Sequence, residues 1–196
     1  MAFPLVYDLK TIQQQAQEDA VDNAAFRHFV KRRLTWTDRQ FSTFVYGIAR
    51  EVSAAIDCTQ CGNCCRALSV GVDPEDLVRL ADHLQEELGE LQARDSFIDP
   101  QHGLTLCAPC PYQCGNLCGV YTARPETCRQ YPHLLQGDMR IRLSHLVDHA
   151  ENCPIYFNVL ERMKGLLDWE EEAGEEDEPY EDAGATNRSR RHSATQ

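Results

Sequence analysis

Four cysteines fall within eight residues, Cys58-Thr59-Gln60-Cys61-Gly62-Asn63-Cys64-Cys65. Two thiolates three residues apart converge on one metal ion, and Gly62 allows the tight turn that would aim backbone amides at the sulfurs. Six further thiols follow at Cys107, Cys110, Cys114, Cys118, Cys128 and Cys153. Ten cysteines in 196 residues exceed what packing alone uses, yet stay below the density of a small disulfide scaffold. Cys64 and Cys65 are neighbours whose side chains point in different directions, so one ion takes both only with strain. Two ions, or a cluster plus a second site, satisfy that constraint; the plainer reading of Cys65 is a buried packing thiol.

Ligand softness selects the metal. A nearly all-thiolate set suits zinc, cuprous ion or an iron–sulfur cluster and disfavours magnesium or calcium. Cys58-x2-Cys61-x2-Cys64 with the distant Cys153-Pro154 is similar to the bacterial ferredoxin run, although the next cysteine stands immediately adjacent at Cys65. Four thiolates around a dication leave about two negative charges, which nearby cations stabilise. Arg66, Arg124 and Arg129 are candidates for that compensation, with ordinary surface pairing as the alternative. His83, His102, His133, His145 and His149 read as surface or core residues, because the glutamate that accompanies paired metalloprotease histidines is missing after His145. There is no glycine-rich phosphate loop, nucleophile elbow or evident acid pair, so the sequence carries no signature of catalysis.

The N-terminus lacks a basic stretch followed by an apolar run, and no later segment is apolar enough to span a bilayer. The expected location is cytoplasmic, where thiols stay reduced and close cysteines favour metal over disulfides. A net charge of −12 argues against nucleic acid or an anionic membrane as partner. Residues 170–182 hold nine of the acids and no base.

The elements that must position these thiols read as helices. From about Thr11 to Leu34, Ala16, Ala20, Val21, Ala24, Phe26, Phe29, Val30 and Leu34 recur at three- and four-residue steps, predicting one amphipathic helix. Thr37-Asp38-Arg39-Gln40 reads as a capping box opening a helix to about Ile56, with Phe41, Phe44, Val45, Ile48, Val52 and Ile56 on one stripe. Asp73 and Pro74 open a third, with Leu77, Leu80, Ala81, Leu84 and Leu88 on one face and Gly89 as terminator. Met139 to Leu143 alternates apolar and basic residues, predicting a short strand, and Pro154 opens a last helix through Ile155, Phe157, Leu160, Met163 and Leu167. Residues 99–132 are too poor in apolar periodicity to order themselves, so bound metal is the economical organiser. The expected fold class is mainly α: a small helical domain with an irregular Cys-rich region organised by metal and room for one short hairpin. The expected division is a single domain over 1–169 (a helical part at 11–56, a Cys-cluster part at 55–157, a C-terminal helix at 154–169), followed by a disordered acidic tail over 170–196.

The run Cys58-Thr59-Gln60-Cys61-Gly62-Asn63-Cys64-Cys65-Arg66, then Cys110-Pro111-Tyr112, Cys118-Gly119-Val120-Tyr121, Arg124-Pro125, Cys128-Arg129-Gln130-Tyr131-Pro132 and Cys153-Pro154 resembles the CxxCxxCC cysteine-cluster family, also called YkgJ-like, whose members are described as zinc- or iron-chelating. The resemblance covers roughly residues 55–157. It implies eight metal ligands, Cys58, Cys61, Cys64, Cys65, Cys110, Cys118, Cys128 and Cys153, and leaves Cys107 and Cys114 outside the pattern. A similar cluster occurs in flagellin lysine-N-methylases, thought to use an iron–sulfur centre with S-adenosylmethionine; those chains are much longer, so only the metal site carries over.

The leading expectation is a metal-binding protein holding zinc or iron, the latter as an ion or an iron–sulfur cluster, with the metal ion as its one identified partner. The alternative is an iron–sulfur enzyme of redox or methyl-transfer type. A third reading makes the metal structural and the acidic tail a contact for a basic partner.

Overall fold

A computed structural model of the chain describes residues 4–167 and 169; the acidic tail expected over 170–196 lies outside the described residues. The fold is mainly α, with short strands confined to the cysteine-rich part.

The N-terminal periodicity yields two helices rather than one, α1 (Leu9–Glu18) and α2 (Ala20–Arg32). The break falls at Asp19, whose amide closes back on the Gln15 and Gln17 carbonyls. Helix α1 buries Ile12, and α2 buries Phe26 and Val30. Helix α3 (Asp38–Ala55) opens with the capping box read from the sequence: the Thr37 hydroxyl accepts from the Gln40 amide and the Gln40 side chain from the Thr37 amide. Its stripe of Phe41, Val45, Ile48 and Val52 is buried.

Beyond α3 the chain forms a 3₁₀ turn (Cys58–Gln60), a five-residue helix α4 (Asn63–Ala67) and a short strand β1 (Val70–Gly71). Helix α5 (Pro74–Leu84) starts with Pro74 at its first turn and an Asp73/Asp76 capping box. It ends earlier than the sequence suggests, because Gln85 takes the left-handed conformation that Gly89 was expected to supply. Gly89 instead lies inside α6 (Leu88–Asp95), capped by the Glu87 carboxylate accepting from the Glu90 amide.

Strands β2 (Ser96–Asp99) and β3 (Gly103–Leu106) form a hairpin to which β1 adds, in the order β1-β3-β2 and antiparallel throughout. A second ribbon pairs β4 (Gln113–Cys114) with β5 (Leu117–Cys118). A 3₁₀ turn and helix α7 (Glu126–Gln130) follow.

The segment expected as a strand is helix α8 (Met139–Asp148). The Asp138 carboxylate accepts from the Arg140 and Ile141 amides as an N-cap. Met139, Leu143 and Leu146 are buried at helical spacing, whereas Ile141 is 75 % exposed, so the apolar–basic alternation does not mark a buried face. The Arg140 guanidinium ties this helix to the Val30 and Trp36 carbonyls and to Asp38. Pro154 does open the last helix, α9 (Pro154–Leu166).

Two apolar cores result. The larger joins α2, α3, α8 and α9 through Phe26, Phe41, Val52, Leu143, Tyr156 and Leu160, and includes Cys153. The smaller joins α5, α6 and the strands through Val72, Leu77, Leu80, Leu91, Leu106 and Val120, with Cys110 and Cys118 packed against it. Each fully buried Leu, Val or Phe contributes about 1.5–3 kcal/mol. No helix among the described residues is long and apolar enough to cross a membrane.

Candidate metal centre

The CxxC turn is built by the backbone of Cys58, whose carbonyl accepts from the Cys61 amide at 3.1 Å and the Gly62 amide at 3.2 Å. These amides close the turn on a carbonyl rather than facing the sulfurs as the sequence suggests. Gly62 has φ +61°, and a Cβ there would stand 2.8–2.9 Å from Gln113 Nε2 and from Asn116 backbone atoms. The residue is therefore required twice, for its conformation and for the close approach of the β4–β5 ribbon. That approach is fastened by Gln113 Nε2 donating to the Gly62 carbonyl and Asn116 Nδ2 donating to the Gln60 carbonyl.

Helix α4 carries Cys64 and Cys65 with their sulfurs 4.0 Å apart, about twice the length of a disulfide. The two thiols share a hydrogen bond in which either sulfur can donate. That hydrogen bond, burial and the charges of Cys65, Cys153 and Cys128 all raise the proton affinity of Cys64. Cys65 is pulled down to about 6 by the same hydrogen bond, with Arg66 and Arg124 assisting against burial.

The remaining thiols arrive from distant segments. The Cys110 amide donates to the Cys65 carbonyl at 2.7 Å, and the β4–β5 register places Cys118 opposite Gln113. Cys128 sits on α7, anchored by Thr127 Oγ1 to the Gly71 carbonyl and by the Glu126 amide to Asp76. Cys153 caps α9, 5 % exposed. Asn63 Nδ2 donates to the Asn152 carbonyl at 2.9 Å, joining the residue before Cys64 to the residue before Cys153.

Nearby backbone amides favour ionisation at three of these thiols: that of Tyr112 at Cys110, that of Val120 at Cys118, and those of Tyr156 and Ile155 at Cys153. Burial raises the Cys110 and Cys118 thiols, and these amides oppose it. Burial pushes Cys153 to about 11, opposed by its amides and by the Tyr131 hydroxyl. Cys128 reaches about 12 through burial and then the charges of Cys65, Cys110 and Cys118. Cys58, exposed at the surface, is raised by partial desolvation and then by Cys61 and Asp57. Buried thiols held protonated by one another's charge are relieved by a bound cation.

The three arginines separate in role. Arg124 stacks on Tyr121 at 3.9 Å, and its charge eases ionisation of Cys58, Cys65, Cys118 and Cys128. Arg66 assists Cys65 while donating to the Cys61 carbonyl and Asn116. Arg129 is spent on the Thr122 and Arg124 carbonyls. Cys107 continues β3, its amide on the Asp95 carbonyl, and Cys114 is exposed on the rim of the β4–β5 ribbon beside Gly119.

Sequence reading did not single out Asn63, Gln113, Asn116 or Tyr131. The Tyr131 hydroxyl is buried with no hydrogen-bond partner among the described residues and lies near enough to Cys153 to influence its proton affinity; its one sequence signal is its place in the Cys128-Arg129-Gln130-Tyr131-Pro132 motif. His145 and His149 meet edge to face with centroids 4.2 Å apart, and Tyr156 contacts His145. His102 pairs with Asp99.

All ten cysteines are free. Among the described residues, no three Cys, His, Asp or Glu side chains already converge on one ion position. The donor chemistry nevertheless fits a thiophilic metal: soft thiols from five segments gathered around α4, with nearby amides and Arg124 favouring their ionisation. The sequence model of a family described as "CxxCxxCC: Putative zinc- or iron-chelating domain" matches residues 57–156, about half of the chain. No curated protein and no solved structure matches.

Proposed function

The chain belongs to the CxxCxxCC family of zinc- or iron-chelating domains, and from that premise we propose that it binds its metal through the thiolates of Cys58, Cys61, Cys64, Cys65, Cys110, Cys118, Cys128 and Cys153. The observation that carries this reading is the gathering of eight free thiols from distant segments around α4, with nearby backbone amides favouring ionisation of Cys110, Cys118 and Cys153. Amide-to-sulfur bonds stabilise a thiolate far more than a thiol. Arg124 and Arg66 offset part of the negative charge that ionised thiols leave behind. Cys107 and Cys114 stand outside the set.

Bound zinc would supply a redox-inert dication suited to structure or metal handling, whereas an iron–sulfur cluster would supply one-electron chemistry. The second reading takes Cys153-Pro154 as the distant partner of a ferredoxin-like run, its charge reaching both Cys58 and Cys64, a proximity that a four-thiolate zinc site uses equally. Under that reading the chain is an iron–sulfur protein of redox or methyl-transfer type, with the Tyr131 hydroxyl near Cys153. Elemental analysis and an ultraviolet-visible spectrum of untagged protein purified without oxygen decide between them. Zinc without visible absorption supports structure or metal handling; iron with acid-labile sulfide and a broad visible band supports the cluster; metal-free protein that takes up neither overturns both.

A further inference from the structure

The eight thiols are not one undivided pool. Cys64 and Cys65 occupy successive positions of α4, so their side chains leave the helix about 100° apart even though their sulfurs stand 4.0 Å from each other. Each leads to a different set of partners. On the Cys64 side, the Asn63–Asn152 hydrogen bond brings up Cys153, whose charge reaches Cys58 in the turn preceding α4, although that turn is itself fastened to the β4–β5 ribbon. On the Cys65 side, the carbonyl of Cys65 itself receives the Cys110 amide; the β4–β5 ribbon carries Cys118 next to it; and α7, held to β1 by Thr127, brings Cys128.

Members of the two sets also belong to different cores: Cys153 is embedded in the larger helical core, while Cys110 and Cys118 pack on the smaller one. Charge coupling follows the same division. Cys58 feels Cys61, and Cys153 feels Cys58, whereas Cys110, Cys118 and Cys128 all feel Cys65. The coupling of Cys64 to Cys65 and Cys128 is the bridge.

We infer that the protein has two four-thiolate metal sites, Cys58/Cys61/Cys64/Cys153 against the helical core and Cys65/Cys110/Cys118/Cys128 against the smaller core, with the adjacent Cys64 and Cys65 assigning one sulfur to each. This rests on the thiolate reading above and adds the stoichiometry and the partition. Loading draws each set of four together, the thiols losing their protons to solvent as metal–sulfur bonds form. Each site takes a thiophilic cation, and the pair links the two cores across α4.

The test uses the full chain, stripped of metal without oxygen and titrated with cadmium, whose NMR shift reports the number of sulfur ligands. The expected result is two equivalents bound and two all-thiolate resonances. Cys58→Ser/Cys61→Ser and Cys110→Ser/Cys118→Ser each lower the stoichiometry to one and remove a different resonance. Because a double change can also disturb folding, Cys64→Ser and Cys65→Ser are compared as a pair, each expected to shift a different resonance by the amount a lost thiolate causes. One equivalent in the unaltered chain, or the same resonance shifted by both single changes, overturns the partition. No cadmium bound to the unaltered chain overturns the thiolate reading on which it rests.

Discussion

Asn63 Nδ2 donates to the main-chain carbonyl of Asn152 at 2.9 Å, across 89 residues of sequence. Each asparagine immediately precedes a proposed ligand, so this bond sets how closely Cys64 and Cys153 approach. Asn63→Ala removes the donor and leaves a partly buried carbonyl unpaired, a cost of about 1–3 kcal/mol. Metal affinity, measured by competition with a chelator, is expected to fall by about tenfold or more, with helix content unchanged by circular dichroism. Unchanged affinity would show that the two strands of the site are held by other contacts.

Arg124 is the cation shared by most of the cluster, its charge reaching Cys58, Cys65, Cys118 and Cys128. Partners beyond the ligands typically contribute 10–100-fold in metal affinity. Arg124→Gln is expected to weaken binding within that range, whereas Arg129→Gln, which changes a residue engaged with carbonyls, is expected to act on stability more than on affinity. Equal affinity losses in the two variants would contradict the separation of roles.

Residues 99–132 hold only short strands, a 3₁₀ turn and the five-residue α7, while α3 buries a continuous apolar stripe. Stripping metal is therefore expected to abolish hydrogen-exchange protection in the Cys110–Cys128 region and to leave α3 largely protected. Equal protection in the loaded and metal-free forms would mean that the smaller core suffices to order the region.

His145 is held down to about 4 by burial and then by the charges of His149, His133 and Arg142, with Asp148 opposing. His149 and His133 are lowered in the same direction, each chiefly by burial. Between the folded value and the unfolded one, near 6.5, the unfolded chain binds more protons. Stability is thus complete above about pH 6.5 and declines as pH falls toward 4. His145→Gln is expected to flatten that decline in urea titrations of metal-loaded protein between pH 4 and 6.5; an unaltered slope would assign the acid sensitivity elsewhere.

Helix starts were legible because their causes are local. The Thr37–Gln40 capping box, Pro74 at the head of α5 and Pro154 at the head of α9 involve residues within one turn of each other, and such contacts survive any tertiary arrangement. Misreadings arose where packing chose between local options. Met139 to Leu143 fits a strand or a helix by pattern; Asp138 as cap and the burial of Met139, Leu143 and Leu146 select the helix. The break at Asp19 and the left-handed turn at Gln85 fall on residues that are neither glycine nor proline, so no breaker in the sequence marks them.

Residue type and spacing alone determined the donor chemistry: soft thiols in number, a CxxC turn needing Gly62, and membership in a metal-chelating family. Only the tertiary structure decided which thiols are neighbours. Cys153 reaches Cys64 through a hydrogen bond spanning 89 residues, and Cys110 reaches Cys65 through a main-chain bond. Such pairings depend on how two separate cores meet at α4, a free energy summed over buried side chains that no short stretch of sequence contains.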